Sequence, residues 1–344
     1  MFQPDREGYS KALVEASEVK SSILAHQEFK DFAKRSLLPF KQWIPSANLK
    51  GITLGDNYPD TAGESVIQFT GIRKSFITKI SEDLLTAYAN TDLLSKYDIY
   101  QILMDYWADN MQDDVYVLVQ DGWESGNKLR ELVAKKGEKL KETPDLVIKK
   151  QKFKAELIPP ALIVARYFAD KQAEIEQLQI KQDEATQSLE TYLENEGGED
   201  GLLIEAINDK DKITKASVAA RTKLAIDAEE IKALRQATKL FNADAAAKKA
   251  VKEAQEKLDF AVFMKYPELT VEEIKALIVD DKWLATLQTN INAEIERVTQ
   301  KMANRVKELE ERYSSPLPAL TKSVDDLSAK VSKHLEAMGL ELSL

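Results

Sequence analysis

At 344 residues the chain can form two or three packed units, and 44% hydrophobic and 31% charged residues with only 12 Gly and 10 Pro describe a helix-rich globular protein. The absence of cysteine excludes disulfides, thiolate metal sites and cysteine nucleophiles, while His26 and His334 lie so far apart in sequence that a two-histidine metal site would need the termini to meet. A formal charge of -10 repels polyanions unless the lysines are segregated on one face, and no apolar run approaches the roughly 20 residues of a membrane span. The start from Met1 to Arg6 lacks a signal-peptide pattern, so a soluble, cytoplasmic protein with no membrane partner is expected.

In chain order, residues 8 to 43 carry apolar positions at helical spacing, from Leu13 through Ile23, Phe29 and Leu37 to Trp43, and are read as two helices. Ser46 to Gly71 collects Pro, Asn, Asp and Gly and reads as a loop, with Val66 to Phe69 as a short strand candidate. Helical periodicity returns from Ile72 to Ala89 and from Leu93 to Met111. The run Val115 to Val119, ending at Asp121-Gly122, reads as a strand, and Leu146 to Lys150 and Phe153 to Leu157 read as two more around a basic turn. Pro159-Pro160 opens a long helical pattern in which Val164, Phe168, Lys171, Ile175, Leu178, Gln182, Ala185, Leu189 and Tyr192 alternate in steps of four and three. An acidic glycine loop from Glu194 to Gly201 ends it.

A second long helix is expected from Ala228 to Phe263, and Thr270 followed by Glu273 is a capping box for a short one. A third runs from Trp283 to Tyr313, with apolar steps closer to an 11-residue than a 7-residue repeat, and is expected to lie antiparallel to the helix from Pro160 as a stalk. After Ser314-Ser315-Pro316, a last amphipathic helix carries Leu320, Val324, Leu327, Val331, Leu335 and Met338 on one face, with Gly339 as its stop. The expected fold is therefore mainly α. Residues 1–158 form a helical module with a small antiparallel β element, 159–313 a long coiled-coil-like stalk with a helical tip, and 314–344 a C-terminal amphipathic helix.

Signatures of chemistry are absent. The sequence has no phosphate-cradling glycine loop, no Gly-x-Ser-x-Gly elbow and no His-Glu-x-x-His helix. Asp113-Asp114, with Asp105 and Asp109, reads as capping or solvated acids before a metal or acid/base cluster. The lysines from Lys135 to Lys141 read as a solvated face before a DNA groove, and Tyr100, Tyr106, Trp107 and Tyr116 as core. No catalytic, cofactor or metal residue emerges. The candidate interaction surface is the apolar seam: Ile175, Leu178 and Leu189 on the first long helix, Ile291 and Val298 on the third, and Leu327, Val331 and Leu335 on the last. These stripes either close on each other as an internal hairpin or await another subunit; the hairpin is favoured, with part of the seam shared.

Residues 97 to 123, YDIYQILMDYWADNMQDDVYVLVQDGW, resemble a segment of long methylation (M) subunits of type I restriction-modification systems. Thr143 to Ile148, Glu156 to Pro160, Val164 to Phe168, Asp280 to Trp283 and Glu310 to Tyr313 are similar to the same family. The resemblance implies a parent subunit that is a site-specific N6-adenine DNA methyltransferase using S-adenosylmethionine. Its implied partners are a specificity subunit, a second M subunit and a restriction subunit, with DNA held through the complex. The family's Asn-Pro-Pro-aromatic motif has no counterpart: the only adjacent prolines, Pro159-Pro160, follow Ile158 and precede Ala161, and cannot hold a flipped adenine. The expectation is a non-catalytic assembly part with no cofactor of its own. The alternatives are an intact adenine methyltransferase with unrecognised motifs, or a helical nucleic-acid-binding domain using the lysines between 135 and 154.

Overall fold

The computed structural model describes residues 2–6, 9–15, 17–53, 68–133, 142–198, 201–208, 211–313 and 317–339. The chain is mainly helical. Among the described residues the elements run as a hairpin of β1 (Phe2–Arg6) and β2 (Tyr9–Ala12), then α1 (Val19–Ala25), α2 (Gln27–Ser36), α3 (Leu38–Ala47), α4 (Gln68–Ala87) and α5 (Lys96–Tyr106). A π-helical turn, Trp107–Met111, leads into α6 (Gln112–Asp121). Next come β3 (Leu129–Glu131), β4 (Leu146–Ile148), β5 (Gln151–Ala155), α7 (Pro160–Tyr167), α8 (Ala169–Glu196), α9 (Lys215–Thr222) and α10 (Ala228–Lys265). The chain closes with α11 (Val271–Lys275), a second π-helical segment Ala276–Leu284, α12 (Ala285–Tyr313) and α13 (Leu317–Ala337). The lysine run 134–141 lies outside the described residues, as do Val66 and Ile67 of the strand candidate; Gln68 and Phe69 begin α4.

The chain divides into two compact units. The first gathers Met1–Gly51, Asn57–Gln112 and Leu284–Leu344; the second takes Ile52–Asp56 and Asp113–Trp283. In the first, α3 packs on α4, α4 on α5, and α12 on α1, α2 and α5. Its core holds Phe40, Trp43, Ile80, Leu84, Tyr88, Ile99 and Leu103, with a smaller cluster of Val19, Ile23 and Ala303 where α1 meets α12. Two large buried side chains also satisfy their polar ends: the Trp43 indole donates to the Ile80 carbonyl at 2.9 Å and the Tyr88 hydroxyl to the Ser36 carbonyl at 3.0 Å. Where two helices were expected between residues 8 and 43, the structure has the end of a hairpin and three helices. The divisions fall where His26 leaves helical geometry and Pro39 enters the first turn of α3.

In the second unit α8 and α10 form an antiparallel hairpin. Thr186 donates to Asp244, and the Tyr192 hydroxyl, further along α8, donates to the Ala233 carbonyl, nearer the start of α10. The stalk is therefore closed by α10, not by the helix from Trp283, which belongs to the first unit. Both helices offered an apolar stripe, and the short connection through the tip decides between them. The tip has its own core of Leu203, Ala206, Val218, Leu234 and Ala237. At Phe168 the backbone leaves helical geometry, so the seam expected to be continuous from Val164 is divided between α7 and α8.

The segment Val115–Val119 is helical, contrary to the strand expectation. Its buried residues are Asp114, Val115, Leu118 and Val119, a three-and-four spacing, while Tyr116 is exposed. A short apolar run does not distinguish a strand from a buried helix turn. Gly122 ends the helix at φ 74 and ψ 175, a region essentially confined to glycine.

The other two strand expectations hold: β4 and β5 are antiparallel with Ile148 facing Gln151, and β3 joins β5 on its far side. The loop between β4 and β5 is only Lys149-Lys150, with φ of 48 and 75. Two positive φ angles in a two-residue hairpin describe a type I′ turn, whose favoured sequence is Asn-Gly. A non-glycine residue held there costs on the order of 1–3 kcal/mol.

Candidate functional site

Asp114, one of the two buried carboxylates among the described residues of the second unit, lies at a junction of several elements. Asp114, on the first turn of α6, is 5% exposed. The Lys282 ammonium donates to its Oδ1 at 2.8 Å and lies 2.7 Å from its Oδ2, and the Trp283 indole N–H donates to Oδ2 at 2.8 Å. Lys282 also donates to the Leu157 carbonyl at 2.9 Å. Burial pushes the Asp114 carboxyl above the usual carboxylate range, although Lys282 and Trp283 pull it the other way.

Around this pair, Arg166 grips Asp281 with two parallel hydrogen bonds of 2.6 and 2.9 Å. The Tyr167 hydroxyl donates to Glu273, and the Tyr266 hydroxyl to the Ile158 carbonyl. Glu273 is also the acidic half of the capping box with Thr270, as the sequence spacing implies. Hydrogen bonds from the Thr270 backbone and side chain hold its pKa at about 2, with Tyr167 and Lys265 acting in the same direction.

Both oxygens of Asp114 and of Asp281 are occupied from within the chain, so the junction's chemistry is positional: it ties α6, the 156–160 turn, α7 and the second π segment to one another. The π segment presents Asp281 to Arg166 and the next two residues, Lys282 and Trp283, to the two oxygens of Asp114. Close packing supports the arrangement, since a Cβ on Gly126 would come within 2.7 Å of the Ile274 side chain. The sequence reading of Asp113-Asp114 as capping or solvated acids holds for exposed Asp113 and not for Asp114. The signal available was Asp114 standing one position before an apolar triplet at helical spacing.

Of the interaction residues expected from sequence, Ile175 and Leu189 are buried on α8, whose main neighbour is α10, and Ile291 is buried on α12. These three are buried within the chain, so the seam at these positions is packed internally. Leu178 and Val298 are half-buried on the same helices. On α13 the picture is different, for Leu320, Val324, Leu327 and Val331 are each 47–60% exposed, and only Leu335 is half-buried. Leu317, Leu320, Val324, Leu327, Val331, His334 and Met338 follow a strict 3-4 spacing, so α13 presents a coiled-coil seam to solvent.

A further opening lies at the tip of the α8–α10 hairpin. It is a cleft of about 650 Å³ lined by Tyr192, Leu202 and Ile231 together with Glu196, Lys232 and Arg235, and it carries both signs of charge. Among the described residues no group of three or more His, Cys, Asp or Glu side chains is placed to hold a metal ion, and no helix is long and apolar enough to cross a membrane. His26 caps α2 and His334 is exposed on α13.

These features define an α-helical protein with an antiparallel stalk, a buried ionic junction and an exposed terminal seam. No family model matches the chain, and no curated protein or solved structure was found to be similar to it.

Proposed function

We propose that this chain is a non-catalytic assembly part of the methylation subunit of a type I restriction-modification system, working in the cytoplasm downstream of the methyltransferase domain. In this reading α13 docks the parent subunit onto helices of the specificity subunit. The parent's partners are that subunit, a second methylation subunit and a restriction subunit, and its cofactor is S-adenosylmethionine.

One observation supports the reading above the others. The segments that resemble the family are scattered through the sequence, yet 97–123 supplies Asp114, 156–160 the carbonyls of Leu157 and Ile158, 164–168 Arg166 and Tyr167, and 280–283 Asp281, Lys282 and Trp283. Residues 168 positions apart share one hydrogen bond. Resemblance that arose from helical composition alone would have no reason to converge on one junction of the fold.

The test is co-elution of the full chain with the specificity subunit at micromolar concentration, beside a Leu327→Asp/Val331→Asp variant. Association of the wild type and its loss in the variant, with unchanged melting, is expected because both side chains are exposed on α13. Failure of the wild type to associate overturns the reading. Titration with S-adenosylmethionine is expected to give no heat, and binding would replace this proposal with that of a complete methyltransferase.

A further inference from the structure

The Lys149-Lys150 turn is difficult to explain as a structural element alone. Its geometry favours Asn-Gly, and lysine has neither the freedom of glycine nor the short polar side chain of asparagine, yet two stand there in succession. The neighbouring charges give a reason. On β5, Lys152 and Lys154 point to one face and share it with Arg130 of β3, which pairs with Lys154 in register. Each acid serving that face is taken: Arg130 engages Glu142 and Glu156, and Lys154 engages Asp145. Glu131 falls on the opposite face with Phe153. Lys149, Lys150 and Lys152 remain exposed, with no acidic partner among the described residues. In a chain of net charge -10, three neighbouring cations at the hairpin end thus have no acidic partner among the described residues.

We infer that the Lys149-Lys150 turn with Lys152 is a phosphate-backbone contact, which holds double-stranded DNA against the three-stranded sheet. A phosphodiester backbone is the ligand that rewards point charges without shape-specific pockets. Single strands are gripped through exposed aromatic platforms, but the one aromatic side chain on these strands, Phe153, packs against Phe263 in a tilted arrangement at 4.9 Å between ring centres. A two-stranded β-ribbon also fits the major groove of a duplex. That the polyanion is duplex DNA rests on the function proposed above; that the turn grips a phosphate chain does not.

The experiment measures binding of the full chain to a labelled duplex of arbitrary sequence by fluorescence anisotropy over a range of salt concentrations. The comparison is a Lys149→Asn/Lys150→Gly/Lys152→Gln variant. Three neutralised phosphates predict a slope of log affinity on log salt near about -3, and the variant is expected to bind at least about tenfold more weakly at low salt with a slope close to zero. Because Asn-Gly suits the turn, the variant is expected to melt no lower than the wild type, which separates lost contact from lost fold. Equal affinity and slope in the two proteins overturns the inference. So does tighter binding of a single strand of the same length, or competition by polyglutamate as effective as by duplex at equal charge. Co-elution with the specificity subunit is expected to be the same for both proteins, so failure here and failure of the assembly reading are told apart.

Discussion

At the scale of single residues, Asp114 sets the sharpest expectations. Replacing it by Asn keeps an acceptor for the Trp283 indole but removes the negative charge beside the Lys282 ammonium, which is 17% exposed. Breaking one side of a buried pair costs about 3–5 kcal/mol, so Asp114→Asn is expected to lower stability by that order in denaturant titrations. Adding Lys282→Met should recover much of it, and a double-mutant cycle reads the coupling directly; strict additivity would mean that the two groups do not act as a pair. Glu273 gives a pH dependence of definite sign. Its folded pKa of about 2 lies below its ordinary 4.5, so its contribution is complete above pH 4.5 and is lost as pH falls toward 2. Glu273→Gln is expected to be less stable than wild type by about 1 kcal/mol at neutral pH, and the gap should narrow across that acid window. A third position is Gly122, where alanine meets φ 74 and ψ 175 and should lose roughly 1–3 kcal/mol. The Thr270–Glu273 box was legible from sequence because both halves lie within four residues. The role of Asp114 was not, since its partner is 168 positions away and no spacing rule spans that distance.

Among the elements, helices with strong periodicity were readable and their partners were not. The stripe on α8 is real: Ile175 and Leu189 are buried and Gln182 and Ala185 half-buried, while Lys171 alone among its seam positions is exposed. What the stripe cannot say is which other stripe it meets, and α10 and α12 both offered one. Leu189→Ala, on the α8–α10 hairpin, is expected to cost about 2–5 kcal/mol by chemical denaturation, as for other truncations of buried leucine. The strand reading of Val115–Val119 failed for a related reason: β-branched residues favour strands only weakly, and burial of Asp114, Val115, Leu118 and Val119 on one side imposes a helix. The β4–β5 hairpin was read from two short strand candidates around a basic turn, despite the unsuited residues at Lys149 and Lys150. Asp244 shows how a polar interruption of a seam is accommodated. Burial raises its carboxyl, but hydrogen bonds from Lys248 and Thr186 outweigh this and hold it below the usual range.

For the whole molecule, the units follow contacts more than sequence order. The second unit is largely one stretch, Asp113–Trp283, and its junction, stalk and sheet all lie inside it. It also takes in Ile52, whose carbonyl accepts the Trp123 indole at 2.7 Å. Expressed alone, 113–283 is therefore expected to fold with its helices intact but with Trp123 in a changed environment, which its fluorescence would report; a random-coil circular dichroism spectrum would contradict the unit's independence. Apart from the 52–56 segment, the chain passes from one unit to the other at Gln112 and again at Trp283, each time at a π-helical segment or its edge.

That nesting bears on how the protein is made. Helix α12 carries the Ala303 that completes the α1 cluster, so the N-terminal helices must wait for a segment that leaves the ribosome about 200 residues after α6. At roughly 5–20 residues per second, the stretch of about 280 residues between Ile23 and Ala303 takes on the order of 14–56 s. The interior unit is complete only when Trp283 emerges, about 20 residues ahead of Ala303, so Val19 and Ile23 stay uncovered through most of synthesis, a natural station for a holdase.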